Sequence, residues 1–293
     1  MNAEDIQRLK AHVAELEQQL HVTKAILKRA EATQTGSQDA KKASLPLGPA
    51  LHNLLLLSDS ALPLGSFAYS NGLESFMAHN KGNGGHNFAL FQKFLKLSIQ
   101  TMAHTNIPYV LACFRDPLAL MELDNDLDAS TPCTVQRRAS IAQGRALLSV
   151  WEKAFAHTAR RQFEEGQTAA AALATFSGDL KEAAVAKEKL PVNGHLAPLW
   201  GATAMSLGLN LEETAYVFLF NHAKAVISAG VRASVMGPYS AQSLLAGEWL
   251  QGLVKESLER VWFLQPEDAG QSVPSMDLWI GRHELLYSRI FNS

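Results

Sequence analysis

The stretch LEETAYVFLFNHAKAVISAGVRASV, residues 211–235, decides the fold of this chain. Apolar residues surround a helix of this sequence on every side, and small residues such as Ala223 and Gly230 fill its second half. A helix that is apolar all round is normally buried, and small residues let a neighbouring backbone approach closely. The stretch therefore predicts a central helix, opened by a capping box between Asn210 and Glu213.

The same region is also the one membrane-span candidate in the sequence, over residues 215–236. Asn221, His222 and Lys224 lie at its centre, and Arg232 lies near its end. Each of these polar groups is costly to place in hydrocarbon. The sequence therefore predicts a helix buried inside a protein, and no membrane association.

Composition and charge narrow the class of protein. Hydrophobic residues make up 47% of the 293 residues, which is enough for a substantial core, and the formal net charge is −2. The sequence pI of about 6.6 gives no basic surface for nucleic acid. Two cysteines without a CxxC pair, and an N-terminus, MNAEDIQRLK, that lacks a signal sequence, lead us to expect a cytoplasmic location.

Helical periodicity continues over the rest of the chain. Apolar faces recur at helical spacing over 88–102 and 141–155, and Ser240 is the predicted N-cap of a further helix that runs to about Phe263. We find no alternating β-branched run of convincing length. Interruptions with loop composition are predicted at 80–86, 124–134, 177–194 and 265–275. The predicted fold is all-α: a single compact multi-helix domain built around the central apolar helix, with an N-terminal appendage helix.

Residues 1–30 form that appendage. Apolar residues from Ile6 to Leu27 recur at alternating steps of three and four, which is a heptad pattern sustained for about three repeats. This pattern fits either a short coiled coil or a solvated helix of marginal stability. Residues 31–48 are small and polar and predict a flexible linker, so the all-helical domain is expected to span 49–293.

Each catalytic template fails at an identifiable residue. The segment beginning His283-Glu284 would be an HExxH zinc motif if Tyr287 were histidine, so we read it as a helical surface on which His283 and Tyr287 meet a partner. Ser70 loosely fits a nucleophile elbow, but the preceding strand is missing, and Asn71 with Glu74 is better explained as a helix N-cap. The sequence thus predicts no catalytic, cofactor-binding or metal-binding residues.

Polar and glycine residues within apolar helical sequence are the remaining signal. Arg138 and Arg145 lie seven residues apart and share one helix face, where they could form structural ion pairs or a solvated stripe. Gly144 costs about 1 kcal/mol relative to alanine within a helix, which predicts a close backbone approach at that position.

Four ordered blocks of sequence closely resemble the UreF family of urease accessory proteins. The first is LLLLSDSALPLGSFAYSNGLE, residues 54–74, and the second is residues 123–148, which contain the run RRASIAQGR at 137–145. The third runs from Gly194 to Gln242, and the ending LWIGRHELLYSRIFNS resembles the terminal signature of the family. The resemblance implies these candidate partner-binding or structural residues: Pro63, Gly65, Phe67, Ser70, Gly72, Glu74, Arg138, Gly144, Arg145, His195, Arg232, Gly237, Pro238, Gln242, His283, Tyr287, Arg289 and Phe291.

The resemblance also implies a function. Members of this family are homodimeric scaffolds that bind a UreD/UreH-type accessory protein and recruit the GTPase UreG. The assembly docks on apo-urease and supports nickel insertion, so nickel and GTP are handled by partners and this chain needs no cofactor. The family's terminal segment becomes ordered on partner binding, which suits a tail whose Tyr287, Ile290 and Phe291 would be exposed apolar groups.

Two other functions remain open at the level of sequence. One is a regulator of a GTPase that is unrelated to urease, and the other is a helical enzyme that uses Ser70 with Asp59 or Glu74. Replacing Ser70 by alanine should abolish all function if the chain is such an enzyme, and should only weaken a helix cap if it is not.

Overall fold

A computed structural model describes residues 48–80, 87–162, 166–185 and 192–292, together with residues 16, 20, 23 and 24. These residues contain α-helices, short 3-10 turns and one π-helical segment, with no β-strand among them. The all-α prediction is confirmed. The described part of the chain also contains no helix that is both long enough and apolar enough to cross a bilayer.

The helices follow one another with short connections. In chain order they are α1 (Pro49–Ser58), α2 (Leu73–His79), α3 (Asn87–Arg115), α4 (Leu120–Ser130), α5 (Thr134–Val150), α6 (Ala156–Gln162), α7 (Gln167–Val185), α8 (Leu196–Ser206), α9 (Leu211–Arg232), α10 (Pro238–Ala246), α11 (Glu248–Val261) and α12 (Ser275–Arg282). The π-helical segment, Trp151–Phe155, joins α5 to α6.

The core is centred on α8, which packs against α3, α5, α7 and α9. Its indole-bearing residue, Trp200, is buried and donates its Nε1–H to the carbonyl oxygen of Thr214 at 3.1 Å. At the end of the same helix, Ser206 accepts the Nε1–H of the buried Trp151 at 2.9 Å. Large aromatic side chains can therefore fill the core without leaving a polar atom unpaired.

The predicted central helix corresponds to α9. Its capping box is confirmed, since the Glu213 backbone N–H donates to Asn210 Oδ1 at 2.7 Å and the Glu213 carboxylate accepts from the Asn210 backbone N–H. The helix packs against α3, α8, α10 and α11. The prediction that this helix is buried on every side is only partly confirmed, because Tyr216 and Ser228 on α9 are exposed.

Several predicted boundaries are wrong. The helix expected from Ser240 to Phe263 is two helices that meet at Gly247, whose extended backbone (φ −75°, ψ 143°) ends α10 and begins α11. Ser240 lies inside α10 and does not cap it. The predicted loop at 124–134 is mostly α4, and the first half of the predicted loop at 177–194 is the end of α7.

The chain divides into two units, residues 1–46 and 47–293. Most of the heptad segment and the linker at 31–47 lie outside the described residues, so those predictions stand as predictions. Within the first unit, the heptad leucines Leu16 and Leu20 have exposed side chains.

Candidate functional site

The last residues of the chain fold back onto the first signature segment, and Glu74 holds them there. Its Oε1 accepts the backbone N–H of Ile290 at 2.9 Å, and its Oε2 accepts that of Phe291 at 3.3 Å. One residue further on, the Asn292 N–H donates to the carbonyl oxygen of Ala68 at 2.8 Å. One carboxylate on α2 thus orients the backbone of the tail by two charge-assisted hydrogen bonds. We call this arrangement, with His283, Arg232 and Phe291, the tail clamp.

His283 contacts the backbone of Phe291 in the tail clamp. Its ring is fully buried, and its Nε2 lies 3.0 Å from the carbonyl oxygen of Phe291, to which it donates as the Nε2–H tautomer. Its Nδ1 has no hydrogen-bond partner among the described residues and lies 3.8 Å from Glu74 Oε2. The prediction that His283 lies on a helical surface beside Tyr287 is therefore wrong, because the ring points inward to support the tail.

Arg232, the last residue of α9, contacts the side chain of Phe291 in the tail clamp. Its guanidinium lies over the ring of Phe291, 4.4 Å from the centroid, and it donates to the carbonyl oxygen of Phe67. Partial burial lowers the pKa of Arg232. Phe291 is only 5% exposed, so the prediction of an exposed phenylalanine is wrong. The Arg232 guanidinium covers one face of the Phe291 ring. The backbone of Phe291 is hydrogen bonded to His283 and Glu74, so the ring is held away from solvent.

The turn before α2 brings Glu74 into position. Gly72 has a left-handed backbone (φ 85°), and a Cβ there would lie 2.9 Å from Ile280 Cγ1 and 3.2 Å from the Ile280 backbone nitrogen. Only glycine allows α12 to approach this closely. Asn71 is not the N-cap that the sequence suggested, since Gly72 holds that position. The Ser70 hydroxyl accepts the Glu74 N–H at 3.5 Å and is fully buried, so it is inaccessible to a substrate.

Outside the tail clamp, apolar side chains face solvent. Tyr287 is fully exposed, and Phe67, Leu285 and Ile290 are each more than 60% exposed. These four residues define what we call the tail surface. The exposure predicted for Tyr287 and Ile290 is confirmed. Arg289 lies between them in sequence and is also exposed.

A second cluster of signature residues surrounds the loop 193–195. Asp124, fully buried on α4, accepts backbone N–H groups from Asn193 at 2.7 Å, Gly194 at 2.9 Å and His195 at 2.6 Å. A buried carboxylate is tolerated when several donors satisfy it in this way. Asp124 therefore fixes the entry to the core helix α8.

His195 and Gly144 complete this cluster. The buried His195 ring contacts Ser140 Oγ at 3.0 Å and Asp128 Oδ1 at 3.1 Å. A Cβ on Gly144 would lie 2.2 Å from the Gly194 carbonyl oxygen, so the predicted close backbone approach at Gly144 is confirmed. Arg145 donates its Nε–H to the Asn193 carbonyl oxygen at 2.7 Å and does not form the ion pair that we considered.

Arg138 does form an ion pair. Its guanidinium lies 2.6 Å from Glu284 Oε1, which ties α5 to the 3-10 turn His283–Leu285 beside the tail clamp. The hydrogen bond and charge of Arg138 lower the pKa of Glu284. Both side chains are well exposed, so the pair contributes little to stability.

The remaining candidate residues lie apart from both clusters. Pro63 is exposed in the loop before the 3-10 turn Ser66–Ala68, and Gly65 caps that turn with a left-handed backbone (φ 73°). Gly237 caps α10, Pro238 is its first residue, and Gln242 is exposed on its surface.

Some residues of these two clusters carry little sequence signal. The polar composition around Asp124 and Asp128 predicts a loop, and nothing in the sequence near Glu74 points to a tail more than 200 residues away. The described residues contain no group of three or more histidine, cysteine, aspartate or glutamate side chains arranged to hold a metal ion.

Comparison with known proteins identifies the relatives of this chain. The sequence profile of the UreF family matches residues 86–247. A protein of Schizosaccharomyces pombe described as an uncharacterized urease accessory protein UreF-like is 37% identical over 244 residues, which are 83% of this chain and 97% of that relative. Urease accessory protein F of Oryza sativa subsp. japonica is 32% identical over 80% of this chain and 82% of its own length. Urease accessory protein 6 of Cryptococcus neoformans var. grubii is 27% identical over 85% of this chain and 98% of its own.

Proposed function

This chain belongs to the UreF family of urease accessory proteins, and from that premise we propose that it is a scaffold that joins a UreD/UreH-type partner to a UreG-type GTPase on apo-urease. In this role it supports nickel insertion without performing chemistry itself. Nickel and GTP are then substrates of the partner proteins, and the chain needs no cofactor of its own. The proposal places the protein in the cytoplasm, with its partners.

The observation that carries the proposal is the tail clamp. Residues from the first, third and fourth signature blocks, Glu74, Arg232 and Phe291, meet in one set of contacts. These contacts use the buried side of the tail and leave Tyr287 and Ile290 exposed. A partner that binds the tail surface therefore meets apolar groups on a segment whose backbone is held from the other side by Glu74 and His283.

The arginines fit a structural role better than a role in GTP hydrolysis. Arg138 is paired with Glu284, and Arg145 is engaged by the Asn193 carbonyl oxygen. An arginine that acts in trans on a GTPase has to reach the nucleotide. We therefore assign recruitment of the GTPase to this chain and the hydrolytic groups to the GTPase.

The proposal includes a homodimer, for which the structure offers one suitable surface. Leu51 and Leu55 are exposed on α1, which packs against α9, and α9 carries the exposed Tyr216 and the partly buried Phe220. The two rings stack with centroids 6.1 Å apart, and Lys224 lies over Phe220 at 5.2 Å. We call these four apolar residues the α1–α9 face. Rigid aromatic groups of this kind concentrate binding energy at protein interfaces.

The tail surface can be tested with point variants. Truncation within α12 would also remove Trp279, which packs edge-on against Phe76 at 4.6 Å, and would open the core. We expect the double variant Tyr287→Ala, Ile290→Ala to keep its stability, because both side chains are exposed. Its capture of a UreD/UreH-type partner in a pull-down should fall at least tenfold, which is about 1.4 kcal/mol.

The matched control is Tyr239→Ala, which removes an exposed aromatic side chain from α10. This variant should capture the partner as the natural chain does. Undiminished capture by the double variant would contradict the assignment of the tail surface to this partner.

A further inference from the structure

The helix α12 and the 3-10 turn that follows it form one continuous helical segment with two unlike faces. Arg282 and His283, where the two elements meet, both have a right-handed helical backbone (φ −69° and −54°). Side chains three, four and seven positions apart therefore share a face across the junction. One face points into the core, where Met276, Ile280 and His283 are each no more than 5% exposed.

The opposite face carries apolar side chains where polar ones are expected. Leu278 is 64% exposed, and Leu285, seven residues further on, is 79% exposed. The exposed Arg282 lies between them, four positions after the first leucine and three before the second. A helix face that meets solvent is normally polar. Two exposed leucines on one face, continuous with the tail surface to which Leu285 belongs, therefore indicate a face that another protein covers.

Arg282 gives this face a positive charge that the chain itself does not neutralise. Among the described residues, no carboxylate forms an ion pair with Arg282. Glu284, two residues further on, is already paired with Arg138 at 2.6 Å. Asp277, the only carboxylate within α12, lies five positions before Arg282, which is about 140° around the helix. A guanidinium that is covered without a carboxylate opposite it is costly, so charge complementarity requires an acidic group on the covering protein.

We propose that the UreD/UreH-type partner receives this face in an apolar groove that carries a carboxylate. The inference rests on the proposed function, because it extends the tail surface along α12. Leu278 and Leu285 fill two apolar subsites about 10 Å apart, which is the rise of seven helical residues, and Arg282 pairs with a carboxylate between them. Binding of one helix face in a groove, through anchors that lie two turns apart, is a recurring mode of protein recognition.

The double variant Leu278→Ala, Leu285→Ala tests the apolar subsites. The dissociation constant of the full-length chain and the UreD/UreH-type partner, measured by isothermal titration calorimetry, should rise about tenfold because both anchors are removed. Both side chains are exposed, so the midpoint of urea denaturation should not change. Leu118→Ala is the matched control, since this leucine is 72% exposed in the 3-10 turn after α3, and it should bind the partner as the natural chain does.

Arg282→Glu tests the carboxylate of the groove. It should weaken binding about tenfold in about 50 mM NaCl and no more than about threefold in about 500 mM NaCl, because salt screens the repulsion between like charges. Salt would not relieve a lost packing contact, so equal weakening at both concentrations would overturn the carboxylate. Arg115→Glu makes the same charge change at an exposed residue and should bind normally. It lies about 30 Å along α3 from Phe94, the residue that packs near Trp279 of α12.

The outcomes separate this inference from the proposed function. If Tyr287→Ala, Ile290→Ala weakens capture of the partner while the α12 variants bind like their controls, the groove is overturned and the tail surface stands. If all of these variants bind normally, the tail surface and the groove are both overturned. If the α12 variants change only the mass of the chain in light scattering, the face is covered by a second copy and the proposal is overturned.

Discussion

Glu74 illustrates how a single residue can be recognised in a sequence while its contacts are not. Read locally, it belongs to a helix cap, yet in the structure it accepts the N–H groups of Ile290 and Phe291. Its partners lie more than 200 residues away, and no local pattern encodes that distance. The resemblance to the UreF family identifies Glu74 as a candidate residue, but only the folded structure shows that it binds the tail.

Replacing Glu74 tests the tail clamp directly. In Glu74→Gln the charge is lost and an amide N–H₂ faces a backbone donor, so one of the two hydrogen bonds to the tail cannot form. We expect the amides of Ile290 and Phe291 to exchange with solvent about tenfold faster, with little change in global stability. Hydrogen–deuterium exchange measures this. Glu256→Gln, at an exposed residue paired with Arg260, is the control, and unchanged exchange in the Glu74 variant would contradict the clamp.

Gly144 shows where side-chain size decides packing. A methyl group there would overlap the Gly194 carbonyl oxygen at 2.2 Å, so Gly144→Ala should destabilise the protein by about 2–4 kcal/mol. Gly178→Ala on α7 is the matched control, because open space surrounds that position and alanine is the better helix former. Urea denaturation should show the first variant weakened and the second slightly stabilised. A tolerated Gly144→Ala would show that the two backbones do not meet.

Burial of His222 makes the free energy of unfolding depend on pH. Its pKa is about 4 in the folded chain and 6.5 when exposed, so the unfolded chain binds the proton first as the pH falls. The free energy of unfolding therefore falls by up to about 3 kcal/mol between pH 6.5 and 4. The stability advantage of the natural chain over His222→Gln should shrink by this amount from pH 7 to 4 in urea titrations. A pH-independent difference would contradict the burial of a neutral imidazole.

At the scale of elements, the sequence predicts best those helices whose apolar pattern is strong. The long helices α3 and α9 follow from periodicity, and the start of α9 follows from its capping box. The polar composition of residues 124–130 and 177–185 predicts loops, whereas the structure has α4 and the end of α7 there, because tertiary contacts stabilise a helix. Asp124 is an example. An acidic residue is normally expected to face solvent, but the Asp124 carboxylate accepts backbone N–H groups of the loop 193–195.

The α1–α9 face leads to a prediction about assembly. If the proposed homodimer forms through this face, Phe220→Glu, which places a charge in the stacked pair with Tyr216, should convert it to a monomer at micromolar concentration. Size-exclusion chromatography with light scattering measures the mass. Tyr239→Glu adds the same charge at an exposed aromatic position on α10 and should remain dimeric. A dimeric Phe220→Glu would assign the interface to another surface.

At the scale of the whole molecule, a helical core of small and aromatic residues positions a tail that is bound on one side and exposed on the other. The closely packed backbones at Gly72 and Gly144 fix α12 and the entry to α8, and the tail clamp depends on the first of these. The closely packed helices therefore position the tail, and we propose that the exposed tail surface binds other proteins.

The most direct test of this account is urease activity after co-expression of apo-urease with UreD/UreH-type and UreG-type partners and nickel. We predict active urease when this chain is present, little activity when it is omitted, and strongly reduced activity with the Tyr287→Ala, Ile290→Ala variant. Equal urease activity with and without the chain would contradict the account.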